Sequence, residues 1–151
     1  MQTVISLLTA QIGWLALTGA GVSAESGVPT YRNQRGEWQH KPPVTHQEFV
    51  GNHQARQRFW ARNMVGWRFM SDAQPNAAHL ALVRLASLNR VSHLVTQNVD
   101  GLHQRAGSRD VIDLHGRVDS VSCLSCRLRL PRAPLQVWLE KHNPGFARLA
   151  G

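Results

Sequence analysis

The sequence predicts an α/β fold built on a parallel sheet. Three observations carry this. Short apolar runs, WLALTG from Trp14, VSHLVTQN from Val91 and DVIDLHG from Asp110, each stop at polar or glycine residues. Segments of helical character separate them, the alternation that parallel sheets need. Each run also ends in hydroxyl, carboxamide or imidazole side chains: Gly19 to Ser23, Gln97 to Asp100, and His115. The carboxyl ends of parallel strands are where such sheets hold ligands, so three polar clusters at three strand ends point to one composite site.

The elements follow in order. TVISLLTAQI, from Thr3, has the character of a short helix, and WLALTG that of a buried strand ending at Gly19. From Gly19 to about Pro43 the chain is rich in Gly, Ser, Pro, Asn and Gln, a loop long enough to be functional. Between Thr45 and about Met70 the aromatics Phe49, Phe59, Trp60 and Trp67 fall at helical spacings, which predicts one or two short helices. PNAAHLALVRLASLNR, opened by Pro75, predicts another helix. Its apolar face is Leu82, Leu85 and Ala86, or Ala78, Leu82 and Leu85. VDGLHQRAG predicts a short helix closed by Gly107, and VDSVSCLSCRLRLP a strand pair around a cysteine knuckle.

The chain has 151 residues, enough for one domain with a core. Its hydrophobic fraction of 42% and charged fraction of 17% are those of a globular protein rather than a disordered one. The net charge of +8 is carried by arginine, since Lys41 and Lys141 are the only lysines. The arginines are scattered, which reads as a solvated basic surface rather than a nucleic-acid track. The N-terminus has neither the positive n-region of a secretory signal nor the arginines of a transit peptide. No apolar run reaches the roughly 18 residues of a membrane span. Cys123 and Cys126 are the two cysteines. Their spacing points to metal or redox chemistry in a reducing compartment, the cytoplasm.

Gly19-x-Gly21-x-x-Ala24 after a strand has the pattern of a dinucleotide fingerprint with Ala in third place. In that reading Gly19 permits the tight turn, Gly21 lets a pyrophosphate approach the backbone, and the next helix offers free N–H groups. The acidic residue expected about twenty positions on is missing, because Glu37 lies in a loop, so this is not an ordinary dehydrogenase. Gln97, Asn98 and Asp100 can hydrogen-bond ribose hydroxyls or an amide; equally, Asp100 can cap the following helix. His115 has the ring type of a general base, and His103 reads as a structural partner. Cys123-x-x-Cys126 is half of a zinc knuckle, and His142 does not complete a ligand set.

Taken in order, TGAGVSAESGVPTYR, TQNVDGLHQRAG, LHG and C-x-x-C resemble the sirtuin family of NAD-dependent protein deacylases. RQRFWARNMVGW, QPNAAH and RAGSRDVIDLHG look most like its class II branch. The resemblance implies a Rossmann-type domain and a small domain with a helical module and a zinc ribbon. It divides the chain into residues 1–44, the first strand and NAD loop; 45–75, the helical module; 76–118, the rest of the Rossmann-type domain; and 119–151, the start of the zinc module. The second cysteine pair and the later strands of the family pattern are not in these residues. The resemblance therefore implies an incomplete sheet, half of a zinc ribbon, and a chain truncated to the family's N-terminal half.

Carried over by motif, Gly19, Ala20, Gly21 and Ser23 line the pyrophosphate and nicotinamide-ribose region. Thr30, Tyr31 and Arg32 belong to a cofactor loop in which Tyr31 screens the reacting ribose carbon. Gln97 and Asn98 hold the ribose, Asp100 the nicotinamide carboxamide, and His115 is the catalytic base. Cys123 and Cys126 are two ligands of a structural zinc. The implied reaction takes an acyl-lysine protein and NAD to lysine, nicotinamide and O-acyl-ADP-ribose. Phe59, Trp60 and Arg62, with Arg56 and Arg58, occupy the helical region comparable to the acyl reader of the acid-selective branch. That leaves ADP-ribosyl transfer and a lipoyl-like or branched acyl chain as alternatives. A further alternative is a chain without catalysis that binds only NAD, ADP-ribose or a partner chain.

Overall fold

The computed structural model describes Ser6 and residues 13–33, 35–37, 39 and 42–146. The helix expected in TVISLLTAQI therefore lies, Ser6 apart, outside the described residues. The chain forms two compact units, Met1–Pro29 with Ala73–Val118, and Thr30–Asp72 with Asp119–Gly151.

The first unit is a parallel sheet of three strands, β1 (Trp14–Thr18), β2 (Val91–Thr96) and β3 (Val111–Asp113), in the order β1-β2-β3. The predicted α/β class and parallel sheet are found as read. Register places Ala16 opposite Leu94 and Thr18 opposite Thr96, and on the other side Leu94 opposite Val111 and Thr96 opposite Asp113. Because side chains alternate along a strand, these residues share one face. Two helices build this face. They are α3 (Ala77–Ser87), which packs on β2, and α4 (Leu102–Ala106), which packs on α3. Leu94 and Leu102 are buried there. The opposite face carries Leu15, Leu17 and Ile112, which are 61%, 62% and 49% exposed.

The face of α3 keeps Leu82 and Leu85, as read, but not the alanines. Ala78 and Ala86 are exposed, and the buried side runs through His79, Leu82, Val83 and Leu85. His79 is completely buried. Asn76, not Pro75, caps the helix: its side-chain oxygen accepts from the N–H groups of Ala78 and His79. The long loop after β1 also differs, because its first part, Ala20–Ser26, is a 3-10 helix closed by Gly27 at φ 80°. The side-chain amide of Asn76 ties that segment down by donating to Val22 O and Ser26 Oγ.

The second unit contains α1 (His46–Gly51), α2 (His53–Asp72), an antiparallel pair of strands β4 (Ser120–Ser122) and β5 (Arg129–Pro131), and α5 (Arg132–His142). Thr45 and Glu48 form a capping box at α1. The aromatic spacing thus gives one short helix and one of 20 residues. Phe59 packs edge-on against Phe49 and Trp60, with ring centroids 4.8 and 5.6 Å apart. Helix α5 was not expected from the sequence, where Pro134 interrupts the pattern. Pro134 sits in its first turn, where no backbone donor is needed. Arg132, 2% exposed, lies over Trp67 and Trp60 at 4.7 and 5.6 Å and donates to Gln136 Oε1 at 2.6 Å and Asn63 O at 3.3 Å. Burial pushes its guanidinium below the ordinary arginine range. Among the described residues no helix is long and apolar enough to cross a membrane.

Candidate functional site

The carboxyl ends of β1 and β2 are joined by side chains. Thr18 and Thr96, the last residues of the two strands, face each other, and the Thr18 hydroxyl donates to Thr96 Oγ1 at 2.8 Å. The Asn98 backbone N–H donates to the same Thr96 oxygen at 3.0 Å. The Asn98 side-chain amide then reaches back over the first strand end, donating to Gly19 O at 3.1 Å and Ser23 Oγ at 3.0 Å. Both of its hydrogens are used, and its carboxamide oxygen is left to accept a ligand hydroxyl.

Asp100 is buried, and both of its oxygens accept. Ser23 Oγ donates to one at 2.7 Å and Leu102 N–H to the other at 2.8 Å. The second bond ties the loop to the start of α4, but the N-cap is Gly101 and not Asp100, which stands one residue before it. Gly101 follows at φ 71°, the left-handed region, and a Cβ there would meet Arg117 at 3.3 Å.

Gly19, Ala20 and Gly21 open the 3-10 helix. The expectation that Gly19 is needed for a tight turn is corrected: its φ of −142° and ψ of −172° are extended backbone open to any residue. What the glycines do provide is room, since a Cβ at Gly19 or Gly21 would meet nothing within 4 Å. The exposed backbone beside β1 is therefore free for close approach by a ligand.

His115 stands just after β3 and is exposed. Its Nδ1 lies 3.0 Å from Gln97 O. A carbonyl only accepts, so Nδ1 carries the hydrogen. Nε2 of the neutral ring therefore holds the free lone pair, the arrangement a proton acceptor needs. All three polar clusters read from the sequence are thus linked within one unit: Gly19 and Ser23 to Asn98 and Asp100, and Gln97 to His115.

The Sir2 family model matches residues 19–145. The chain belongs to the Sir2 family. It is 57% identical over 133 residues to the NAD-dependent protein deacetylase of Bordetella pertussis, which covers 88% of this chain and 48% of that protein. It is 49% identical over 146 residues to NAD-dependent protein deacetylase 1 of Corynebacterium efficiens, covering 97% of this chain and 52% of that one. A solved structure of Sir2 with a p53 peptide and NAD+ superposes with a TM-score of 0.81 at 32% identity, over 93% of this chain and 55% of that one. A Sir2 homologue mutant in complex with 2′-O-acetyl ADP ribose superposes with a TM-score of 0.73 at 40% identity, over 87% and 53%. The chain spans about half the length of the curated relatives it matches.

Other expected site residues of this Sir2 chain lie in the second unit. Thr30 Oγ1 accepts from the Gln39 amide at 2.8 Å, Tyr31 is 46% exposed, and Arg32 donates to Gly36 O at 2.7 Å. Cys123 and Cys126 are free, exposed thiols in the turn between β4 and β5. The turn is closed by Cys123 N–H donating to Leu128 O, with Arg127 left-handed at φ 61°. Backbone N–H groups of Cys126 and then Ser125 pull the Cys123 thiol below its ordinary range. Among the described residues no group of three or more His, Cys, Asp or Glu side chains could hold a metal.

Two residues of the first unit carry more than the sequence suggested. His79 and His103 are both buried, with ring centroids 4.8 Å apart. His79 Nδ1 accepts from Asn76 N–H at 3.3 Å, and His103 Nε2 lies 2.9 Å from Thr18 Oγ1. Burial pushes both rings below the ordinary histidine range. Arg105 adds to the effect at His79, and His79 itself adds to it at His103. Asp100 opposes it at both rings and Asp113 at His103. A histidine gives no hydropathy signal for the core. The signal that existed was its spacing of three and four residues from Leu82 and Val83 on α3.

Proposed function

We propose that the strand ends of the first unit bind NAD and that the site serves NAD-dependent removal of acyl groups from protein lysine. The observation that carries this is the 3.0 Å contact of His115 Nδ1 with Gln97 O, a carbonyl that can only accept, which leaves Nε2 as a base just after β3. Support comes from the names of the relatives and from Sir2 structures holding NAD+ and acetylated peptide.

NAD supplies the chemistry of a ribose carbon that becomes electrophilic as nicotinamide departs. The chain's own residues bind and orient. The open backbone at Gly19, Ala20 and Gly21 would take the pyrophosphate. The free carboxamide oxygen of Asn98, with Gln97, would accept from ribose hydroxyls. Ser23 and Asp100 hold that carboxamide and the loop in place, and each Asp100 oxygen, accepting one bond now, has a second lone pair with which it could accept from the nicotinamide amide. His115 Nε2 would take the proton released from a ribose hydroxyl. Thr30, Tyr31 and Arg32 would cover the cofactor, and Cys123 and Cys126 would be this chain's two ligands to a structural zinc.

The test is nicotinamide release from NAD with an acetyl-lysine peptide, on the parent chain and on His115→Ala. Release that needs the peptide and is lost in the variant supports the reading. Binding of NAD without release supports the narrower alternative of a cofactor-binding chain. Release that is unchanged in the variant contradicts the role of His115.

A further inference from the structure

We propose that His103 is a positioning residue for the strand-end site: its neutral ring, through Thr18 and Thr96, fixes the backbone N–H of Asn98. The inference rests on reading that site as the one that holds NAD. It begins from a geometric coincidence. One imidazole on α4 lies 2.9 Å from the last side chain of β1, and that side chain is 2.8 Å from the last side chain of β2. Gly19 follows the first threonine directly, and Asn98 bonds to the second at 3.0 Å. A single ring is thus tied to the starting points of both site loops.

The direction of the bonds fixes the state of the ring. Thr18 has one hydroxyl hydrogen and donates it to Thr96, so toward His103 it accepts. His103 Nε2 therefore carries the hydrogen and Nδ1 is bare. That Nδ1 is buried with no hydrogen-bond partner. His79, opposite, accepts at Nδ1 from Asn76 and so carries its hydrogen on Nε2, also buried without a partner. Adding a proton to His103 would place a second N–H where nothing accepts it. The groups that bear on the ring are His79 from α3, Asp100 from the loop and Asp113 from β3, while Arg105 bears on His79. The neutral Nε2–H form is the one that suits the threonine relay. A ring that served only to fill space would need no polar bond to the end of β1.

The packing reading and the positioning reading separate in two variants. His103→Gln keeps an N–H donor, and His103→Leu keeps apolar bulk and removes it. Amide NMR of the chain without ligand reads the relay directly. Positioning predicts that His103→Gln leaves the Asn98 amide resonance near its parent place and that His103→Leu displaces it several-fold further. It also predicts that ADP-ribose binds His103→Gln close to the parent and His103→Leu about tenfold more weakly, the effect of one lost hydrogen bond. Thr18→Val, which breaks the relay from the other side, displaces the Asn98 amide in the same way and decides the matter should His103→Leu not fold. Equal displacement in the Gln and Leu variants, or an Asn98 amide that no variant moves, overturns the proposal. A parent that binds no ADP-ribose defeats the NAD reading, and the NMR comparison still decides the role of His103.

Discussion

The hydroxyl of Ser23 donates to a carboxylate oxygen of Asp100, 77 positions away in sequence, at 2.7 Å. Both residues are buried, and the same carboxylate accepts from Leu102 N–H on its other oxygen. One bond therefore ties the loop after β1 to the start of α4. The site is held by these cross-strand contacts rather than by either loop alone.

Ser23→Ala removes that bond and leaves a buried carboxylate with one donor fewer. A hydrogen bond to a charged group contributes about 1.5–3 kcal/mol, so a loss of that order is expected. Urea denaturation of the chain and its variant measures it. A midpoint unchanged by the substitution would mean that Asp100 finds another donor.

Acid should loosen the first unit before carboxylates titrate. Burial holds the folded His79 and His103 below the unfolded histidine value of about 6.5. As pH falls through that value the unfolded chain takes up protons first. Stability is thus full above about pH 6.5 and declines below it toward the folded titrations. Melting temperatures at a series of pH values check the sign. His103→Gln should make the decline shallower.

Gly101→Ala should destabilise the chain by about 1–2 kcal/mol, the cost of a Cβ in the left-handed region. The added atom also meets the Arg117 guanidinium at 3.3 Å, a side-chain end that can move. Gly19→Ala is the contrast. Its backbone is extended and its surroundings are open, so folding should tolerate it while ligand approach suffers. Thermal melts set beside ADP-ribose binding separate the two effects.

The strands and the site clusters were legible because each apolar run ends where its polar residues begin. Gly107, at φ 103°, closes α4 as read. The three-strand sheet shows why the rest was harder. Leu15, Leu17 and Ile112 look like core in the sequence and are largely exposed, while His79, Thr96 and Arg132 look like surface and are buried. Those polar groups enter the interior through bonds to residues remote in sequence, such as Thr18 to Thr96 and Arg132 to Asn63, which hydropathy does not register. Helix α5 escaped because a proline at its third position resembles an interruption. Phe59 and Trp60, weighed as readers of an acyl chain, pack with Phe49 and under Arg132.

The central claim is that Gly19, Ser23, Asn98 and His115 form one NAD site. The most direct measurement is an amide NMR titration of the 151-residue chain with NAD, repeated on Asn98→Ala. The account predicts shifts at Gly19, Ala20, Gly21, Asn98 and His115 together, with binding weakened in the variant. Shifts confined to other residues, or a titration that Asn98→Ala leaves unchanged, would contradict it.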